Sequence, residues 1–120
     1  MSKRTDRELL GDILEAIRRI QTYTAGMAFE TFLRDTKTQD AVVRNLEIIG
    51  EATKRLSDEV RERYPAVPWK SMAGVRDRLI HHYFGVNLDV IWEIVSVELD
   101  KVALQVEGIL KELKGNEPAR

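Results

Sequence analysis

At 120 residues the chain is long enough for one compact domain with a real core and too short for two ordinary ones. Hydrophobic residues make up 43% and charged ones 32%, with seven glycines and three prolines, a balance that excludes disorder and a turn-rich β architecture. The formal net charge of -1 excludes recruitment of nucleic acid by bulk electrostatics, and the absence of cysteine excludes disulfides, thiol nucleophiles and thiolate metal sites.

Thr5-x-x-Glu8 has the spacing of a capping box, in which hydroxyl and carboxylate satisfy the free amides of a helix start. The charged residues around it do not make a signal peptide, and no apolar run reaches the roughly 20 residues that span a bilayer. Leu9, Leu10, Ile13, Leu14, Ile17 and Ile20 then recur at three- and four-residue intervals, which predicts a first helix to about Tyr23. Gly26 ends or bends it, and Met27 to Leu33 form a short extra turn. Polar residues at 35–38 mark a loop. A second helix carries Ala41, Val42, Leu46, Ile49, Ala52 and Leu56 on one stripe. Asp58 to Tyr64 extend it or make a separate turn, and Pro65 and Pro68 enforce a break.

Pro68 suits the first turn of a third helix, where its missing amide hydrogen costs nothing. Trp69, Met72, Val75 and Leu79 point inward from that helix, which is expected to fail between His82 and Gly85. Asn87 caps a long fourth helix with Ile91, Ile94, Val95, Val102, Val106, Ile109 and Leu113 in helical period. Residues 115–118 end it. The expectation is therefore an all-α, antiparallel four- to five-helix up-and-down bundle, a single domain over 1–115 with a frayed tail at 116–120. Val90, Ile91, Trp92, Ile94, Val95 and Val97 crowd more apolar surface onto the fourth helix than one stripe holds, which predicts a homodimer. Trp69 and Trp92 read as core or interface anchors.

The chemistry-bearing residues concentrate in one place. Both histidines, His81 and His82, lie in the run from Arg76 to Gly85. From Lys70 to Leu88 the cations Lys70, Arg76 and Arg78 face Asp77, a local balance of +2, whereas Asp89 to Glu112 carry six acids against two lysines, a balance of -4. The motif is a basic spot on a neutral-to-acidic body. Asp77 stands one helical turn before His81 and is placed to orient its imidazole, while Arg78 and His82 share another face. Arg76 and His81 are about 140° apart on a regular helix and converge only where the helix ends. Converged on RNA, His81 moves the proton of a ribose 2′-hydroxyl or of the leaving 5′-oxygen, and Arg76 neutralises the pentavalent phosphate. The products are a 2′,3′-cyclic phosphate and a 5′-hydroxyl. Adjacent histidines project in different directions and no acid cluster completes a coordination shell, so neither a metal nor a cofactor is expected. Glu51, on the second helix, reads either as part of a solvated face or as the support of Arg76 or Arg78.

Arg76-x4-His81-x-Tyr83 resembles the motif of the HEPN superfamily in the form carried by HepT-like toxins. Residues 44–52, from Arg44 through Gly50 and Glu51 to Ala52, resemble that family's second-helix signature, and residues 75–89 resemble its active-site segment. The likeness runs from about Leu9 to Leu113. It implies an α-helical dimer, or a higher oligomer; the absence of cysteine fits a reducing cytoplasm. Arg76 and His81 would then be the catalytic pair of a metal-independent endoribonuclease, one half of a type VII-like toxin–antitoxin pair. Its partner would be a minimal nucleotidyltransferase antitoxin, MntA-like, that adenylylates Tyr83. Added bulk and negative charge beside Arg76 would close the groove to RNA. Position 77, often Asn in relatives, is Asp here. The rival expectation is a non-catalytic HEPN module that binds a nucleotide or such a partner.

Overall fold

The computed structural model describes residues 4–80 and 85–115; His81, His82, Tyr83 and the tail 116–120, on which several expectations fall, lie outside the described residues. Helix α1 spans Asp6–Thr24 and starts as predicted, with Thr5 Oγ1 accepting from the Glu8 amide at 3.1 Å and Glu8 Oε1 accepting from the Thr5 amide at 3.0 Å. A single turn, α2 (Phe29–Leu33), leads into α3 (Thr36–Arg55), whose N-cap Asp35 accepts from the Thr38 amide. Ser57 caps a separate turn, α4 (Asp58–Arg63), before the proline-marked break.

Side-chain pairing sets the packing directions. Asp6, at the start of α1, accepts from the Ser57 amide and hydroxyl just after α3 ends, so α1 and α3 run antiparallel. The last long helical stretch begins as α7 (Leu88–Glu93), capped by Asn87 as predicted, and finishes as α8 (Leu99–Gly115). Gln21 bonds Asp100 while Arg18 pairs with Glu107, so α8 runs antiparallel to α1. The apolar stripes of α1, α3 and α8 bury Leu10, Ile13, Ile17, Leu46, Ile49 and Val106 between them, and this burial drives the fold. Phe32 from α2 closes one end against Trp92, their ring centroids 5.1 Å apart. Among the described residues there is no strand, and no helix is long and apolar enough to cross a membrane.

Three features depart from the predicted elements. The third helix is two short ones, α5 (Trp69–Ala73) and α6 (Val75–Leu79), broken at Gly74. The expected inward set Trp69, Met72, Val75 and Leu79 is buried nonetheless. Second, α6 stops at Leu79 rather than between His82 and Gly85. Ile80 is extended (φ -87°, ψ 128°) and forms an isolated antiparallel bridge with Val86, and the Asn87 amide donates to the Leu79 carbonyl at 2.6 Å. Third, α7 and α8 join through a π-helical turn, Ile94–Glu98, in which the Leu99 amide reaches back to the Ile94 carbonyl. Ser96 Oγ donates to the Trp92 carbonyl within it, a side-chain bond that competes with the regular ladder. The turn widens the buried face locally. Ile91, Ile94 and Val95 are buried within one chain, and only Val97 of the crowded set is largely exposed, with Leu104 seven residues on.

Candidate active site around Arg76

The site is assembled by one close approach. A Cβ built on Gly50 of α3 would lie 3.0 Å from Val75 Cγ1 and 3.4 Å from the Met72 carbonyl oxygen. A hydrogen at position 50 lets the α5–α6 break settle directly on α3. Val75 is thereby buried, and Arg76, next in sequence, turns outward.

Arg76 opens on a groove of about 410 Å³ between the α5–α6 break, α3 and the start of α1, which also contains Arg44, Glu47, Glu51, Lys54 and Arg55. Among the described residues Arg76 makes no ion pair within 4.0 Å. Among the described residues its guanidinium has no hydrogen-bond partner either, which leaves donors for an incoming anion. Asp77, beside it, is exposed.

Arg78 is held. Its Nη1 donates to Ser71 Oγ at 2.9 Å and to Glu98 Oε1 at 3.1 Å, and its Nη2 donates to Glu98 Oε2 at 2.8 Å. The carboxylate bonds push the Arg78 pKa further up, against a smaller opposing effect of burial. The π-helical turn carries Glu98 and α6 carries Arg78, so this fork ties the motif helix to the last helix.

The fork corrects one prediction. Glu51 lines the groove with Arg76, but its ion pair is with Lys54 at 3.5 Å, and the carboxylate holding Arg78 is Glu98. Glu98 lay twenty residues from its partner in sequence, with no local spacing to announce it. The expected relations of Asp77 to His81 and of Arg78 to His82 fall on residues outside the described ones; the last described residue before them, Ile80, is extended. The convergence expected of Arg76 and His81 falls on a residue outside the described ones. Arg76, Glu51 and Arg44 thus share one groove, Arg78 belongs to the half-buried fork, and His81 and Tyr83 lie outside the described residues.

A family model described as Ribonuclease HepT-like matches residues 13–109. A Methanocaldococcus jannaschii protein named "Putative RNase MJ0127" is 47% identical over 117 residues, covering 98% of this chain and 97% of its own. A Thermococcus cleftensis protein named "Probable ribonuclease HepT" is 44% identical over 109 residues, covering 91% and 99%. No solved structure matches. With a family model and relatives that span both chains almost end to end, the chain belongs to the HepT-like ribonuclease family.

Proposed function

We propose that the protein is a metal-independent endoribonuclease in which Arg76 and His81 act on one phosphodiester. His81 removes the proton of the 2′-hydroxyl or supplies one to the departing 5′-oxygen, and Arg76 balances the charge that grows on the phosphate oxygens. The carrying observation is that Arg76 is exposed, without an ion pair among the described residues, and set on a groove with two further arginines. Glu51 and Asp77 border that position, and Arg78 fixes the helix that presents it.

In this reading a second copy of the chain completes the cleft. The exposed apolar residues Ile80 and Val86, paired by their bridge, and Val97 and Leu104, on the last helical stretch, are what it would cover. The enzyme acts as a toxin silenced by a nucleotidyltransferase partner that adenylylates Tyr83, placing a negative group beside the catalytic pair.

RNA cleavage in EDTA tests the nuclease. The native chain should cut to 2′,3′-cyclic phosphate ends, and His81→Ala should lose about 10²- to 10⁴-fold in rate. A native chain that binds RNA without cutting it would leave the non-catalytic HEPN module as the reading.

A further inference from the structure

We infer that Arg44 and Arg55 of α3 bind the backbone phosphates of an RNA strand on either side of the one held by Arg76. The inference rests on the ribonuclease reading and adds to it two residues that position substrate without touching the reacting atoms.

The groove contains the cations Arg44, Lys54, Arg55 and Arg76 and the acids Asp12, Glu47 and Glu51. Asp12 is engaged by Arg4, whose Nη2 lies 2.6 Å from both carboxylate oxygens, and Glu51 is paired with Lys54. Among the described residues neither Arg44 nor Arg55 has an ion pair. Three guanidinium groups therefore face one remaining carboxylate, Glu47, on a chain whose formal net charge is -1. Such a local excess is uncommon on a molecule otherwise balanced, and guanidinium is the side chain best matched to phosphate oxygens.

Spacing then selects the ligand. Arg44, Glu47, Ile48, Glu51 and Arg55 recur at three- and four-residue intervals along one stripe of α3, and all of them line the groove. Arg44 and Arg55 are eleven positions apart, about 16 Å along the helix axis. Val75 packs on Gly50, near the middle of that span, and Arg76, the next residue, lines the same groove. A single small anion needs donors that converge within hydrogen-bond reach, and backbone positions strung over such a length suit it less well than they suit an extended ligand. A polyanion laid along the groove meets each in turn. Arg44 and Arg55 are both exposed, so neither is needed by the core.

The experiment uses the full chain and a short RNA oligonucleotide with 2′-O-methyl groups throughout, which lacks the attacking hydroxyl and stays intact. Binding is followed by fluorescence anisotropy over a salt series. Arg44→Ala and Arg55→Ala should each weaken binding roughly three- to tenfold and make the dependence of log affinity on log salt shallower by about 0.7. Arg44→Lys and Arg55→Lys should recover most of the affinity, and Arg34→Ala, an exposed arginine outside the groove, should match the native chain. On cleavable RNA the two alanine variants should raise KM with kcat kept within about twofold, a split that lost stability would not produce. Native affinity and native salt slope in both alanine variants overturn the inference, as does a native chain that binds no RNA. Weakened binding in the variants of a native chain that does not cut supports the groove while removing the nuclease reading. Cutting with unchanged binding does the reverse.

Discussion

Two arginines of α6, two residues apart, lead opposite lives. Arg76 is exposed on an open groove and makes no ion pair among the described residues, whereas Arg78 is half-buried and spends its donors on Glu98 and Ser71. Residue type and local sequence are nearly the same for both. What separates them is which neighbour their helix face meets: α3, on whose Gly50 the segment settles closely, or the π-helical turn that brings a carboxylate inward. A charge already matched inside the protein contributes to the fold, and one left unmatched at a cavity is available to a ligand.

The largest expected effect tests that contrast directly. Arg76→Ala should lower RNA cleavage about 10²- to 10³-fold, the loss typical of removing one donor to a developing oxyanion, while stability moves by less than about 0.5 kcal/mol. Arg78→Ala should invert the pattern. Its three hydrogen bonds are partly screened by solvent, so we expect about 1–2 kcal/mol of lost stability and a melting temperature lower by several degrees. Cleavage below that melting point should fall less than in Arg76→Ala. Parallel melting curves and initial rates would sink the contrast if Arg76→Ala unfolded the chain and Arg78→Ala abolished cutting at full stability.

Gly50 offers a smaller lever, because it acts on the platform beneath both arginines. Gly50→Leu forces a side chain against Val75 and the Met72 carbonyl, and the α5–α6 break must lift from α3. Overpacking of this kind costs about 1–3 kcal/mol. Chemical denaturation should show that loss, and cleavage should fall with it, since Arg76 moves with the segment. Unchanged stability and activity would mean that the approach of α3 to Val75 does not set the site.

The sequence made part of this legible. Thr5 with Glu8, Asn87 and the three- and four-residue apolar periods announced helix starts and buried faces, because those signals act within a turn or two of chain. Arg76 likewise stood out by its spacing to His81. The features that decide the fate of Arg78 were hidden. Gly74 inside an otherwise helical pattern is usually tolerated, and here it breaks the helix, with its amide turned back to Lys70. The end of α6 depends on Asn87 and Val86 meeting Leu79 and Ile80, and the fork depends on Glu98 arriving from another helix. Each is a contact between segments that no local period encodes. The groove was readable only in hindsight, since Arg44 and Arg55 look like an ordinary solvated face until α6 is laid beside them.

Acid titration should separate the two kinds of charge with the smallest effect. Bonds from the Thr5 amide and hydroxyl hold the Glu8 carboxyl below its ordinary range, and those from the Thr38 amide and hydroxyl do the same for Asp35. A carboxyl whose folded pKa lies below its unfolded one contributes stability above the unfolded value, about 4, and loses it as pH falls through the folded value. Melting temperature should therefore stay flat near neutrality and decline on acidification past that range, with a shallower decline in the double variant Glu8→Gln, Asp35→Asn. Cleavage that depends on an imidazole should change near neutrality instead, where the fold is untouched. Melting temperature and rate falling together through one pH window would mean that activity tracks unfolding. Separate windows would place the titrating group in the motif and the acid-sensitive bonds at the caps of α1 and α3.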